Sequence, residues 1–230
     1  MSITVYTVIV GDQDTLHRPK VIEPGIRYVC FSDRKWVCPP WEVESAPLPG
    51  DDPRRNSRLP KILSHSFFNS EYTIYHDGSC VTAAKPSDLI KELLMDTDLA
   101  MYRHPRRGSL YEEREACIRL GVCNGKEIDD QVERYKRRGI VQGLWSGGVI
   151  LRRNTSEVRV FNLTWWLEYC NGCVRDQISL PYAIQESGIR VNTLQENITD
   201  DPGRFHFHYH IRQPGILPEL FTGLKGVGVV

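Results

Sequence analysis

Between Glu71 and Cys80 the chain reads Glu-Tyr-Thr-Ile-Tyr-His-Asp-Gly-Ser-Cys, and this stretch narrows the choice of fold more than any other. Tyr72, Ile74 and the Phe67-Phe68 pair before them are β-branched or aromatic residues that fill a buried strand, and Gly78-Ser79 ends the run with turn chemistry. A carboxylate, Asp77, is therefore delivered at the end of a core strand. Ligands of open α/β sheets bind beyond the carboxyl ends of the strands, so an acid placed there is a candidate ligand for a metal ion that carries phosphates. Read by itself, Asp77-Gly78 after a strand is more often a turn in which the aspartate bonds its own backbone than a site.

The flanking segments place that strand in an α/β rhythm. Ile3–Val10 alternates and is β-rich, with Gly11-Asp12 as its exit turn, and Arg27–Phe31 and Trp41–Ser45 read as two more short strands. A helix is expected from about Ser57 to Phe68, with Pro60 in its first turn, and another from Pro86 to about Met95. Leu99–Tyr102 follows as a strand, then charge-laced amphipathic helices over Tyr111–Leu120 and Ile128–Arg138, a strand at Leu144–Leu151, and helices over Asn162–Cys170 and Asp176–Ser187. Helices alternating with strands predict an α/β fold: a mostly parallel central sheet with helices on both faces, in one domain over residues 1–230. The tail Phe205-His-Phe-His-Tyr-His210 alternates at strand period, which puts His206, His208 and His210 on one face.

Composition removes several function classes. Lys+Arg and Asp+Glu both total 29, so no global field draws the chain to nucleic acid or to an anionic membrane. No run approaches transmembrane length, and the N-terminus lacks a basic segment followed by a long apolar one, from which a cytoplasmic protein without membrane attachment is expected. Seven cysteines are scattered; Cys170-Asn-Gly-Cys173 has zinc or redox spacing, but no second pair completes a four-ligand set, so reduced thiols are expected.

Taken in order, Tyr6-Thr7, Cys30-Phe-Ser-Asp33, Arg58-Leu-Pro-Lys61, Tyr75-His-Asp-Gly-Ser79, Arg103-His-Pro-Arg106 with Tyr111-Glu-Glu113, Gln131-Val-Glu-Arg-Tyr135, Trp165-Trp166 with Glu168, and Arg175-Asp-Gln-Ile-Ser179 form an ordered set. That set resembles the glycosyltransferase-like domain named from plant turgor-regulation and seed-mucilage proteins, which also has bacterial and viral members. The resemblance implies the GT-A fold, a Rossmann-like sheet that binds a nucleotide-diphosphate sugar, here expected to be UDP-linked, and a divalent cation, Mn²⁺ or Mg²⁺. It divides the domain into a nucleotide-sugar half, residues 1–100, and an acceptor half with a metal-binding tail, residues 101–230. The family's pattern holds the metal with two acids one residue apart; the first of those positions is Tyr75 here, and Asp77 remains.

The resemblance also distributes roles. Tyr6, Thr7 and Asp33 would hold base and ribose at strand ends, Arg58 and Lys61, one helical turn apart, the phosphates or sugar, and Asp77-Gly78 the metal-bound diphosphate. A late histidine would complete the metal site, with His208 preferred over His206 and His210; imidazole suits manganese better than magnesium. Asp176 and Gln177, which open a helix, would be the catalytic pair, an arrangement more like retaining than inverting relatives. Arg103, His104, Arg106, Glu112 and one of the Trp165-Trp166 pair would line the pocket for sugar and acceptor. Three other readings compete: a viral-type transferase acting on hydroxymethylated DNA bases, a nucleotide-sugar-binding module without turnover, and a zinc or redox protein built on Cys170 and Cys173.

Overall fold

A computed structural model describes residues 1–208 apart from 13, 48, 49, 51, 141 and 142. Its centre is β1, Ile3–Ile9, whose seven residues are all buried because parallel strands flank it on both sides. Beside it run β2 (Arg27–Ser32), β3 (Glu42–Ser45) and β4 (Tyr72–His76), and β5 (Cys80–Thr82) follows β4 directly. Then come β6 (Leu99–Arg103), β7 (Trp145–Arg153) and β8 (Val191–Leu194). The seven-stranded sheet has the order β3-β2-β1-β4-β7-β6-β8, and β7 alone runs against its neighbours. This is the mixed, mostly parallel α/β sheet expected from the segment order. β7, from the second half of the chain, inserts between β4 and β6.

Side chains of each central strand alternate between two apolar layers. Val5, Ile74, Ala100 and Leu151 meet Leu89, Ile90 and Leu93 of α2 (Pro86–Leu93) on one face. Tyr6, Tyr75, Met101 and Ile150 meet α1 (Pro53–Ile62), α5 (Ser156–Cys170) and α6 (Asp176–Ser187) on the other. A third apolar cluster joins α3 (Leu110–Arg119) and α4 (Gly125–Arg137) to the start of α6.

Three local expectations are corrected. Helix α1 starts at Pro53, not near Ser57, because the Asp52 carboxylate caps the amides of Arg54 and Arg55; Pro60 thus lies inside the helix, close to its end. Helix α5 begins six residues earlier than Asn162, at Ser156, with Thr155 accepting from the Val158 amide. Tyr6 and Thr7 do not stand at a strand end: both lie inside β1, 0% and 1% exposed.

Of the tail, Phe205–Phe207 forms β9, antiparallel to β5 with Cys80 opposite Phe207. The next amide, His208, donates to the Ser79 carbonyl at 2.6 Å, so the tail returns to the turn that follows Asp77. The rings of His206 and His208 lie 4.9 Å apart; His210 lies outside the described residues.

Candidate active site

Strand β4 ends at His76, and the Asp77 amide is held by the Gly148 carbonyl of β7 at 2.8 Å, which fixes the carboxylate at the carboxyl edge of the sheet. Its Oδ1 accepts from the Tyr75 hydroxyl at 2.5 Å and lies 3.6 Å from the Lys61 ammonium. Its Oδ2 faces Gly148, where a Cβ would come within 3.3 Å of it, so glycine keeps that oxygen uncovered. Gly78 is constrained more tightly: a Cβ there would meet the Asp14 side chain at 2.7 Å.

From Asp77 the charges continue inward. Lys61, 2% exposed and 5.2 Å from the centre of the Tyr75 ring, also reaches Asp176 Oδ2 at 2.8 Å, and Arg58 Nε lies 3.4 Å from the same oxygen. Asp176 is itself 2% exposed at the first position of α6, with its backbone carbonyl bonded by the Trp165 indole. Burial opposes its ionisation most, yet Arg58 and Lys61 together outweigh burial and hold the carboxyl far below its usual range. The next residue, Gln177, donates its amide to the Trp145 carbonyl at 3.3 Å and to the Ser146 carbonyl, which leaves its buried Oε1 without a partner among the described residues. The structure thus brings Arg58, Lys61, Asp77, Asp176 and Gln177 into one cluster, drawn from α1, the β4 turn and α6. Arg58 and Lys61 are not solvated surface charges.

The remaining expected residues divide. Asp33 stands just beyond β2, exposed, and accepts from the Gly11 amide just beyond β1 at 2.9 Å, so it bridges two strand ends at the same edge. Arg103 at the end of β6 and Arg106 after it are exposed. Tyr6 is no base-stacking residue: its ring packs on Phe68 and Tyr75, and its hydroxyl is fixed between the Lys61 carbonyl and Arg152. Thr7 is equally enclosed in the core. Trp165, 0% exposed, is also core, and its half-buried neighbour Trp166 packs beside Tyr169.

His104 does not face a pocket either. Its Nδ1 accepts from the amides of Arg106 and Arg107, and its Nε2 lies 3.7 Å from the Glu113 carboxylate. Glu112 is used as a cap, taking the Gly108 amide at 2.9 Å while its own amide donates to Ser109. The buried acid of this region is the adjacent Glu113, 1% exposed, which joins Arg107, Arg175 Nε at 2.7 Å and His104.

Sequence reasoning passed over Asp14 and His17, in the connection after β1. His17 stacks on His208 with ring centres 3.9 Å apart, and Asp14 lies against Gly78. The available signal was positional: polar residues in a loop leaving the carboxyl end of the central strand.

Among the described residues, no three His, Cys, Asp or Glu side chains gather as a metal-binding set. Two donor atoms near the Asp77 turn could take part in holding a divalent ion whose shell is completed by phosphates and water. The uncovered Asp77 Oδ2 is one such atom. His208 Nε2, buried and without a hydrogen-bond partner among the described residues, is a second, just beyond β9 where the tail returns to the Asp77 turn.

The family model described as the TOD1/MUCI70 glycosyltransferase-like domain matches residues 33–201. A probable hexosyltransferase, MUCI70 of Arabidopsis thaliana, is 32% identical over 145 residues, covering 57% of this chain and 25% of that protein; the chain therefore spans about a quarter of this curated relative. Among solved structures, the apo form of the bifunctional glycosyltransferase WbbM aligns over 84% of this chain and 38% of its own, with 9% identity and a TM-score of 0.49.

Proposed function

The chain belongs to the TOD1/MUCI70 glycosyltransferase-like domain family, and from that premise we propose that it transfers a hexosyl group from a nucleotide-diphosphate donor, UDP-linked, to a hydroxyl of a saccharide acceptor. One observation carries the reading: the strand-end acid Asp77 and the helix-start acid Asp176 are joined through a single buried ammonium, Lys61, at 3.6 and 2.8 Å. A pyrophosphate site and a sugar site would then be parts of one rigid assembly.

Each residue has a task in that assembly. Asp77 Oδ2, with His208 Nε2, would hold Mn²⁺ or Mg²⁺, which when bound supplies charge neutralisation for the departing diphosphate. Arg58, the more accessible of the two cations, grips phosphate oxygens. Asp33 and the Gly11 backbone, at the ends of β2 and β1, meet the base or ribose. Gln177, its amide anchored to β7, turns Oε1 to accept from a sugar hydroxyl.

Asp176 is a poor general base, since a base works best with a pKa near the operating pH and this carboxyl lies far below it. Its remaining capacity is to stabilise the positive charge that develops on the sugar ring, or to act as a nucleophile. The nucleophilic role would give retention of configuration in place of a single inverting displacement.

The test is a thermal-shift series with UDP-sugars, with and without Mn²⁺, followed by donor turnover. A donor at a hundredfold its Kd stabilises the fold by about 2.7 kcal/mol. Asp77→Asn should remove the Mn²⁺-dependent part of that shift. A variant that responds like the parent would take the metal role from Asp77. Binding without hydrolysis or transfer would leave a sugar-nucleotide-binding module, and salt-sensitive retention on hydroxymethylated DNA would replace the saccharide acceptor.

A further inference from the structure

Two pieces of the ordered set, Gln131-Val-Glu-Arg-Tyr135 and Glu168, take no part in the assembly around Asp77 and Asp176. They meet at a cleft of about 320 Å³ where α4, α5 and α6 come together, lined by Arg134, Tyr135, Arg138, Glu168, Asn171 and Tyr182. Sites for small ligands run from about 300 to 1,000 Å³, so the cleft has room for a single ring and not for a nucleotide sugar.

Its floor is held in place by buried polar contacts. Tyr135, 0% exposed, donates its hydroxyl to Glu168 Oε2 at 2.8 Å and accepts from the Gln131 side-chain amide at 2.8 Å. Gln131 in turn accepts from the Cys173 amide at 2.9 Å, and a Cβ on Gly172 would overlap the same side chain. The floor is thereby tied to the α5–α6 loop that delivers Asp176. The Tyr182 ring stacks on Tyr135 with centres 4.7 Å apart, and Tyr182 stands about 9 Å along α6 from Asp176.

The rim offers donors and acceptors together. Arg134 Nη1 and Nη2 lie 3.5 and 3.3 Å from Glu168 Oε2, so every contact of that carboxylate among the described residues ends on one oxygen, and Oε1 is left to accept. Arg138 uses Nη1 alone, toward the Tyr182 hydroxyl at 3.2 Å and Glu186 at 3.3 Å, which leaves Nε and Nη2 as donors. Exposed Asn171 supplies one more group of each kind. The two guanidinium charges are matched by Glu168 and Glu186, so the cleft has no net charge with which to collect a phosphate or a cation. An uncharged ring with several hydroxyls satisfies such a set: its oxygens accept from the guanidinium forks, its hydroxyl protons go to Glu168, and its C–H groups lie against tyrosine.

We infer that this cleft is a subsite for one uncharged sugar ring of the acceptor chain, beyond the residue that receives the hexosyl group. Placing that ring in the acceptor rests on the transfer reading; the binding does not. The test is calorimetric titration of the full chain, without donor, with oligosaccharides of glucose, galactose, mannose and xylose, and with oligogalacturonate as the anionic member. At least one neutral chain should bind, and Arg138→Ala, a change at an exposed residue, should weaken it by about tenfold. Tyr182→Ala, with circular dichroism matching the parent, should do the same. No neutral binding, neutral binding that both variants leave unchanged, or binding of oligogalacturonate alone would overturn the assignment. The donor-induced thermal shift is read on the same protein. Cleft-dependent saccharide binding without a donor shift would sink the transfer reading and leave the sugar site standing; a donor shift without cleft-dependent binding would sink the sugar site alone.

Discussion

Arg175 and Asp176 are neighbours in the chain, yet they serve two different buried ion clusters. Asp176 holds Lys61 and Arg58; Arg175 turns the other way, to Glu113, where it joins Arg107 and His104. The acids match closely, Asp176 2% and Glu113 1% exposed, and each is met by two cations. The difference lies in where the contacts lead. From Asp176 they pass through Lys61 to Asp77, a carboxylate 40% exposed at the sheet edge. From Glu113 they lead back into protein, pinning the β6–α3 connection through Arg107 and the α5–α6 loop through Arg175. Burial of paired charge does not by itself mark a site; a path to a solvent-facing ligand atom does.

That contrast breaks first on activity. Asp176→Asn should lower the transfer rate by about 10²–10⁴-fold, the range for a charge-bearing group lost from a reaction centre. Glu113→Gln, measured on the folded fraction, should leave the rate within a few-fold. A Glu113 variant that folds fully and is as inactive as Asp176→Asn would erase the distinction between the clusters.

Stability should show the reverse order. Removing one partner of a buried ion pair strands the other, at a cost of about 3–5 kcal/mol, and Glu113→Gln strips Arg107 and Arg175 of the carboxylate that each of them bridges. Asp176→Asn should cost less, because Lys61 keeps Asp77. Urea unfolding of the two variants side by side decides it, and an equal loss would mean that Asp77 offers Lys61 nothing.

Two buried histidines, one in the Glu113 cluster and one on the strand that carries Asp77, disfavour the fold when protonated. His104, beside Glu113, is held at about 4 by burial, which outweighs the carboxylate. Burial likewise holds His76, at the end of β4, at about 4. An imidazole whose folded pKa is depressed is neutral in the native state and charged in the unfolded chain at intermediate pH. Its contribution is therefore present above about pH 6.5 and is lost as pH falls toward 4, by at most about 3 kcal/mol for each histidine. As pH falls through the ordinary carboxyl range, near 4, the depressed carboxyls of Glu113 and Asp176 begin to lose their own contribution as well. Unfolding free energies should already fall between about pH 6.5 and 5, above the ordinary carboxyl range, and His104→Asn should flatten part of that slope. A slope unchanged in that variant would remove His104 from the account.

How much of this was legible follows from burial geometry. β1, β2 and β4 are apolar runs because neighbouring strands cover them, and Asp77 stood out because turn residues end such a run. β8 is an edge strand with three half-buried residues in Val-Asn-Thr-Leu, so it carried no strand signature. Tyr6 and Thr7 were misplaced because a sequence shows that a strand exists more clearly than where it ends. Glu112 and Glu113 have the same charge and adjacent numbers; helix phase after the Ser109 cap decides which turns inward, and a single sequence does not display it. Asp14 and His17 escaped because only the fold brings them beside Gly78 and His208.

The smallest expected effect probes the open end of the Asp77 cluster. Tyr75 is buried, 2% exposed, and its hydroxyl donates a 2.5 Å hydrogen bond to Asp77 Oδ1 at the position where the family resemblance leads one to expect a second acid. Tyr75→Phe keeps the packing and removes only that bond. Since Asp77 is partly exposed, water can replace the lost donor, and the cost should be about 1 kcal/mol. The same change leaves Lys61 as the remaining close cationic neighbour of Oδ1, so the carboxylate becomes a better ligand, and the Mn²⁺-dependent part of the donor-induced thermal shift should persist or grow. If that part vanishes in Tyr75→Phe while the protein stays folded, the tyrosine hydroxyl itself meets the ion or its diphosphate. Asp77 would then share its role with a residue that only superficially looks like the loss of an acid.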